Sequence, residues 1–444
     1  MNARFRDRVS FCSALGMGLG VSTGHPLGII AAAGMPVACL TAGTRKAVFK
    51  STLVYYVAGI WPMVPGLNRY FGQSEISLIP VAMWVFAAIL LSVPWTIAWT
   101  SERRFNYLWR VPLALMATIV PPLGIVGLAS PVTGAGYLFP GTAWVGLAAV
   151  ALLPGIVLST HALALRRRCA VLCLVSSSAV GLAIGGRLFA PGDAAPPTGW
   201  TAVNTQFGDV RQPFRDFLAA ESVQQKAAET SARVLIFPES VVPRWSEATE
   251  AFWRQSLDRW GTRGQIIAIG AGLPGKTRTP KDNREKLSGL RSFDFGAAID
   301  VLKRIDPQSP PAMQRSVLPN PLIKPRPEPV DNTLLIVGAE SAVFYQRVPV
   351  PVGMWRPFTR ISVPLRLNAP GVLGIDHQRA AVLICYEQML TFPILASMLE
   401  HPTVIVGISN TFWVNHTTIP RYQATALRGW AKLFHLPYFL AVNS

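Results

Sequence analysis

Charged residues are scarce in this sequence, and the acidic ones are the scarcest. Asp, Glu, Lys and Arg together make up 14% of the chain, whereas soluble domains contain roughly a quarter. Almost all of the acidic residues lie after Asp193, and the residues before about 190 are mostly long uncharged apolar runs. An ordinary soluble enzyme is therefore excluded. The sequence predicts a membrane half that is followed by a water-facing half.

Cysteine is also rare, and only one of the five cysteines, Cys385, lies in the second half of the chain. The others fall in or beside apolar runs, where a small buried side chain is the simplest explanation. A single thiol cannot form a disulfide within its own domain. Cys385 is therefore either an inert core residue or a nucleophile. The other four cysteines are Cys12, Cys39, Cys169 and Cys173.

Seven apolar runs are typical of membrane-crossing helices, for which about 20 residues suffice. They lie near residues 9–24, 27–43, 51–66, 77–99, 110–129, 141–162 and 169–189. Basic clusters occupy alternate connections, which face the cytoplasm by the positive-inside rule. The sequence thus predicts a transmembrane domain over residues 1–190 in a bacterial inner membrane, with a cytoplasmic N-terminus and a periplasmic C-terminal domain. The clusters contain Arg4, Arg6, Arg8, Arg45, Lys46, Lys50, Arg103, Arg104, Arg110, Arg166, Arg167 and Arg168.

The net charge of +18 would also suit a nucleic-acid partner. In the first half, however, the basic residues follow the membrane topology and form no aromatic-rich groove of the kind that binds single strands. The basic stretch between Lys276 and Arg291 is predicted to be a solvated loop, near anionic headgroups at most. Direct binding of nucleic acid is therefore not expected.

After a Pro- and Gly-rich linker at residues 191–199, short apolar runs rich in β-branched residues alternate with helical patterns. This alternation predicts an α/β domain over residues 200–444. A proline-rich segment at 306–329 is predicted to be a long loop. The predicted strands are 200–206, 233–237, 265–269, 333–337, 380–384 and 403–408, and the helix that follows the first strand covers 216–231.

Polar residues follow three of the predicted strands. Glu239 comes after the run RVLIFP, Cys385 after AAVLI, and Asn410 near the end of TVIVGISN. Reactive groups in α/β sheets gather at the carboxyl ends of strands, which open into a shared crevice. A cysteine nucleophile needs a base for its proton, and Glu239 is the candidate. Histidine is the weaker alternative, because no motif links Cys385 to any of His377, His401, His416 or His435.

Several short motifs resemble the nitrilase superfamily, whose catalytic triad is Glu, Lys and Cys. Together with the apolar spans ahead of them, they resemble apolipoprotein N-acyltransferase, the membrane enzyme that N-acylates bacterial lipoproteins. Within that family the chain is most similar to the TraB proteins of conjugative plasmids of the Ti type. The resemblance implies a multi-span α-helical membrane domain followed by a nitrilase-type α/β domain, a four-layer αββα sandwich. The motifs are FPES at 237–240, CYE at 385–387 and SNTFW at 409–413.

The resemblance also implies roles for individual residues. Glu239 would be the general base, and Cys385 the nucleophile that carries an acyl thioester. Tyr386 would supply a backbone N–H to the oxyanion, and Glu387 would support the site. The family's Lys falls on Arg347, in a segment that is one residue shorter than the family pattern. Arginine keeps the positive charge but cannot shuttle a proton.

Two further departures from the family pattern concern Met354 and the end of the domain. Met354 stands where the family has a second supporting Glu. The acyltransferases continue beyond the position of Ser444, so the domain is expected to be C-terminally shortened. That expectation leaves one edge of the sandwich open or covered by a partner.

Three functions remain open at this point. The first is acyl transfer from a membrane phospholipid, through a Cys385 thioester, to an amine acceptor such as a lipoprotein. The second is a membrane-anchored amidase or nitrilase, in which water is the acceptor. The third is a catalytically weak or inactive membrane component that works with other conjugal transfer proteins. No cofactor or metal ion is expected for any of them.

Overall fold

The structure is a computed structural model that describes residues 2–72, 77–101, 106–208, 215–274, 330–357, 359 and 362–444. The predicted basic loop, the predicted proline-rich loop and Arg103 and Arg104 lie outside the described residues. In the described part, apolar helices come first and an α/β domain follows, in the order that the sequence predicts.

Ten α-helices lie in the described residues of the first half, and several begin at a polar residue that caps the helix. Asn2 accepts a hydrogen bond from the N–H of Arg4, and Thr44 accepts one from the N–H of Ala47, which satisfies free N–H groups of the first turn. The helices are α1 (Ala3–Ser22), α2 (Pro26–Ala32), α3 (Met35–Leu40), α4 (Arg45–Ile60), α5 (Met63–Tyr70), α6 (Leu78–Ala98), α7 (Tyr107–Ile119), α8 (Ala135–Leu138), α9 (Ala143–Ser159) and α10 (Leu165–Phe189).

Three of the predicted spans are not single straight helices. The second is divided into α2 and α3 around Gly34, and the third is bent by 51° between α4 and α5, next to Pro62. The fifth ends at Ile119, just before Pro121 and Pro122. Proline lacks the N–H that an inner helical turn requires and disfavours a helical residue before it. By length and apolar composition, α6 and α10 could each cross a membrane, and the bent pair would be a third span.

The described strands of the second half form two β-sheets. The first has the order β1-β2-β3-β4-β5, with β1, β2 and β3 parallel and the other pairings antiparallel. The second has the order β6-β7-β8-β9, with only β6 antiparallel to its neighbour. The strands are β1 (Trp200–Ala202), β2 (Val234–Ile236), β3 (Ile266–Pro274), β4 (Val330–Gly338), β5 (Ala342–Tyr345), β6 (Val372–Ile375), β7 (Gln378–Ile384), β8 (Val404–Asn410) and β9 (Tyr438–Asn443).

Four described helices accompany these sheets: α11 (Arg215–Glu229), α12 (Glu247–Thr262), α13 (Thr391–Met398) and α14 (Ile419–Phe434). Side chains alternate across a strand, so each face of a sheet packs on a different layer. In β2, Leu235 joins the cluster formed with α11 and α12, whereas Val234 and Ile236 join the cluster that contains the second sheet. The first sheet is therefore buried on both faces.

Helix α14 joins the α/β domain to the apolar half. The hydroxyl of Thr425 donates to the carbonyl of Gly24 at 2.8 Å, and that of Tyr137 donates to the carbonyl of Thr425 at 2.8 Å. At the end of the helix, the N–H of Gly141 donates to the carbonyl of Lys432 at 2.8 Å. These contacts fix the α/β domain on the apolar helices along the whole length of α14.

The segment after β1 runs along β9. The N–H of Thr205 donates to the carbonyl of Val442 at 2.9 Å, and the N–H of Ser444 donates back to Thr205 at 3.0 Å. The side-chain oxygen of Asn443 accepts from Thr205 and from the N–H of Phe207. The chain itself thus covers this part of the β9 edge, an arrangement that the sequence analysis did not consider.

Candidate active site

Glu239, Cys385 and Asn410 meet in the α/β domain, as their positions at strand ends predict. They come from two different sheets, however, because Glu239 follows β2 of the first sheet, whereas Cys385 follows β7 and Asn410 ends β8 of the second. The N–H of Asn410 donates to one carboxylate oxygen of Glu239 at 2.8 Å, and the amide of Asn332 donates to the other at 2.6 Å. The Cys385 thiol lies beside the same carboxylate and interacts with it electrostatically. Face-to-face packing of the sheets therefore brings the predicted acid–thiol pair together.

A glycine on the neighbouring strand lets Glu239 approach. The N–H of Gly270 in β3 donates to the carbonyl of Pro238 at 3.1 Å. A Cβ at Gly270 would lie 2.2 Å from that carbonyl oxygen and 2.4 Å from the Cα of Glu239. Any larger residue would push the Glu239 turn away from β3. The backbone of Ser240, the next residue, has φ 58° and completes the tight turn.

Cys385 itself lies in a strained turn at the end of β7. Its φ of 51° is in the left-handed region, which costs a non-glycine residue about 1–3 kcal/mol. Surrounding contacts hold the turn, because the amide of Gln423 on α14 donates to the Cys385 carbonyl at 3.0 Å and Glu387 accepts from the N–H of Ile384 at 2.9 Å. A sharp turn from strand to helix projects the side chain of its first residue, as at the nucleophile of α/β-hydrolases.

Burial decides the protonation of the pair. Burial and the nearby Glu239 carboxylate raise the pKa of the Cys385 thiol well above its ordinary value. Burial also raises the pKa of Glu239, and the hydrogen bonds from Cys385, Asn410 and Asn332 oppose that shift. In the resting site the thiol therefore keeps its proton. A base must remove this proton when the thiol attacks. The position of the Glu239 carboxylate beside the thiol suits such a general base.

Tyr386 contributes to the site through its backbone and to the domain contact through its side chain. Its N–H, like that of Asn410, lies near the sulfur of Cys385 and opposes the rise in the pKa of the thiol. An N–H in that position is also available to an oxyanion formed next to the sulfur. The Tyr386 hydroxyl donates to the carbonyl of Ile125 in the apolar half at 2.9 Å. The Cys385 turn is therefore in direct contact with the apolar half.

Arg347 does not face the thiol. Its guanidinium Nε lies 3.7 Å from Oε1 of Glu387, and Nη2 donates to the carbonyl of Val382 at 3.4 Å. Among the contacts that the structure describes, none joins the Arg347 side chain to Glu239 or Cys385. The predicted cation is thus placed behind the Cys385 turn, as the counter-ion of Glu387.

Glu387 is a fully buried clamp. Its Oε1 accepts from the N–H groups of Arg347 at 2.7 Å and Val348 at 3.0 Å, and its Oε2 accepts from Ile384. Burial raises the pKa of Glu387, while the Arg347 charge and these N–H groups oppose the shift. This carboxylate ties the segment after β5 to the Cys385 turn, which gives the predicted supporting role a physical basis.

The sequence analysis missed Gln346 and Asn332. Gln346 is fully buried; its amide oxygen accepts from Asn332 at 3.1 Å, and its amide nitrogen donates to the carbonyl of Ile384 at 3.1 Å. Asn332 in turn binds Glu239, so a chain of amides links the carboxylate to the residue before Cys385. Within the part of the chain that the structure describes, no cluster of three or more His, Cys, Asp or Glu side chains could hold a metal ion.

Two curated proteins are similar to this chain in sequence. A probable conjugal transfer protein TraB of Sinorhizobium fredii is 27% identical over 445 residues, which is 95% of this chain and 94% of that protein. The chain is similar to TraB proteins over most of its length. The conjugal transfer protein TraB of Agrobacterium fabrum is 28% identical over 360 residues, covering 76% of this chain and 68% of that protein. The resemblance to TraB that the sequence predicted is confirmed, and no protein-family model matches the chain.

Solved structures with a similar arrangement include members of the nitrilase superfamily. An amidase of that superfamily from Nesterenkonia matches 49% of this chain and 68% of its own, at 12% identity and a TM-score of 0.28. The NitFhit protein of C. elegans matches 55% of this chain and 50% of its own, at 13% identity and a TM-score of 0.32.

Proposed function

We propose that the chain is a membrane-bound acyltransferase of nitrilase type that acts in conjugal transfer. It would move an acyl group from a phospholipid to an amine, such as that of a lipoprotein, through a thioester on Cys385. The observation that carries the proposal is the position of the Cys385 thiol beside the Glu239 carboxylate, in a turn that contacts the apolar half through Tyr386. A membrane donor suits a nucleophile held against apolar helices. The similarity to TraB proteins supports the conjugal context.

The proposed reaction has two steps. Glu239 accepts the thiol proton while Sγ of Cys385 bonds to the ester carbonyl carbon, and the N–H of Tyr386 stabilises the oxyanion. The ester C–O bond then breaks, Glu239 returns the proton to the leaving alkoxide, and the lysophospholipid departs. In the second step an amine attacks the thioester, the C–S bond breaks, and the proton released by the amine returns through Glu239 to the sulfur.

We place this activity in the bacterial inner membrane. The proposal keeps seven spans over residues 1–190, a linker at 191–199 and a periplasmic four-layer αββα domain over residues 200–444. Its support is the alternation of basic connections and the apolar composition of α6 and α10. A reporter enzyme that works only in the periplasm should be active when it is fused after Ser444. Activity there of a reporter that works only in the cytoplasm would contradict the orientation.

A specific observation favours a second candidate, a weak or inactive component of the transfer machinery. Arg347 is bound to Glu387, and in the described residues the polar side chain that contacts Glu239, apart from the thiol, is the neutral amide of Asn332. A developing oxyanion would then be stabilised by backbone N–H groups without a cation, which lowers the attainable rate. A hydrolase with water as the acceptor is the third candidate.

Labelling with a phospholipid whose acyl chain carries a fluorophore separates these functions. Wild-type chain in detergent micelles should acquire a hydroxylamine-sensitive label, and Cys385→Ala should acquire none. Cys12→Ala is the matched control, since it removes a distant exposed thiol and should label like wild type. Absence of label on folded wild-type protein, or label that persists in Cys385→Ala, would rule out the acyltransferase. Released fatty acid without transfer to an added amine would identify a hydrolase.

A further inference from the structure

A cavity lies away from the Cys385 site, between the segment after α10 and the C-terminal end of α14. It has a volume of about 450 Å³ and is lined by Asp193 and Pro196 on one side and by α14 on the other. Cavities that bind small ligands measure about 300–1,000 Å³. This space is therefore large enough for a phosphate group and part of the molecule that carries it.

Basic side chains converge on this cavity. Arg428 and Lys432 are four residues apart on one face of α14, and His435 directly follows the last residue of that helix. Among the described residues that line the cavity, Asp193 has the one carboxylate, and its Oδ1 lies 2.7 Å from Nζ of Lys432. The Arg428 guanidinium donates to the hydroxyl of Tyr438 at 3.0 Å. The hydrogen bond from Lys432, followed by the charges of Arg428 and His435, lowers the pKa of Asp193. The cavity therefore keeps an excess of positive charge.

The cavity also lies at the level where α10 ends. Phe189, the last residue of α10, is 92% exposed, and Leu188 is 74% exposed, which suits contact with acyl chains. Gly186 of the same helix packs on the carbonyl of Pro140. Gly141, which follows Pro140, donates its N–H to the carbonyl of Lys432 in α14. If α10 crosses the membrane, the basic end of α14 is held next to the lipid headgroups.

We propose that this cavity binds the phosphate of an anionic phospholipid headgroup. Arg428 offers a planar fork of N–H donors that matches phosphate oxygens, and Lys432 adds a point charge. Bound phosphate would take the place of the Asp193 carboxylate on Lys432, so Asp193 acts as a tethered competitor. The proposal is independent of turnover at Cys385, because it requires only the cavity and its charges. Inorganic phosphate shares the chemistry, and the experiment distinguishes the two sources.

Calorimetric titration of the full chain in non-ionic detergent tests the site. The probes are short-chain phosphatidylglycerol, short-chain phosphatidylcholine and inorganic phosphate, each alone. We expect phosphatidylglycerol to bind more tightly than phosphatidylcholine, and Arg428→Met to weaken its binding by about tenfold or more, as for loss of a charge-assisted hydrogen bond. Arg421→Met is the matched control, since it removes the same charge from an exposed position of α14 outside the cavity.

A second variant keeps the test valid if Arg428→Met is damaged. Asp193→Asn removes the competing carboxylate and should tighten binding, an effect that a misfolded protein would not produce. Binding of inorganic phosphate without binding of either lipid would overturn the headgroup assignment and identify a soluble phosphate compound as the ligand. Equal weakening by Arg421→Met and Arg428→Met, or no binding of any probe by wild type, would overturn the site.

Discussion

Glu239→Gln is expected to slow acyl labelling of Cys385 by about a hundredfold or more. General base catalysis contributes roughly 10²–10⁴ to a rate, and Glu239 is the carboxylate that lies beside the thiol. Glutamine has nearly the same shape and still offers an oxygen to the N–H of Asn410, but it cannot accept a proton. The measurement is the initial rate of labelling at fixed pH, with wild type beside the variant.

The pH dependence of the same assay identifies the base. Burial raises the pKa of Glu239, so the wild-type rate should increase with pH through a midpoint above that of an ordinary glutamate, as the carboxylate form appears. In Glu239→Gln only the ionisation of the thiol itself remains, and its raised pKa moves the increase to alkaline pH. Wild-type labelling rates in a folded Glu239→Gln variant would show that Glu239 is not the base.

Glu387→Gln is expected to destabilise the chain by about 3–5 kcal/mol. Removing one partner of a buried ion pair leaves the other charge without compensation, and Arg347 is only 2% exposed. The variant also places an NH₂ group where a carboxylate oxygen accepts backbone N–H bonds from Arg347, Val348 or Ile384. The Cys385 turn should therefore loosen together with the fold. The measurement is thermal unfolding of the full chain in detergent, followed by circular dichroism.

Glu340→Gln is the matched control for that loss. Glu340 also accepts a backbone N–H, that of Asp376 at 3.2 Å, but it is only partly buried. Its loss should cost about 0.5–1.5 kcal/mol, the contribution of an ordinary hydrogen bond. Replacing both partners, Arg347→Met with Glu387→Gln, should recover part of the loss, because no buried charge remains. An unfolding temperature of Glu387→Gln equal to that of wild type would contradict the stabilising role of the Glu387 carboxylate.

The strands of the central layers were largely predictable from local pattern. The runs at 233–237, 265–269, 380–384 and 403–408 are apolar and β-branched because their strands are buried, and each lies within one residue of a strand or inside it. The short strands β5, β6 and β9 were missed. Their sequences, AVFY, VLGI and YFLAVN, are apolar but short, and a short apolar run alone does not distinguish a strand from a buried helical segment.

The lengths of the long strands were not predictable either. Strand β3 continues to Pro274 and β4 begins at Val330, because the two strands pair with each other along nine positions. The outer part of that pairing lies beyond the predicted apolar runs 265–269 and 333–337. Only the partner strand decides where such an element ends, since the outer residues gain their hydrogen bonds from it.

The sequence by itself determined that Glu239 and Cys385 follow buried strands, and that these two residue types suit a base and a nucleophile. The tertiary structure decided which neighbours they have. Gln346, and not Arg347, faces the chain of amides at Glu239, while Arg347 turns toward Glu387. Successive side chains of an extended segment point in opposite directions, so a difference of one residue in the segment exchanges them. The packing of two sheets fixes that register, and no local pattern encodes it.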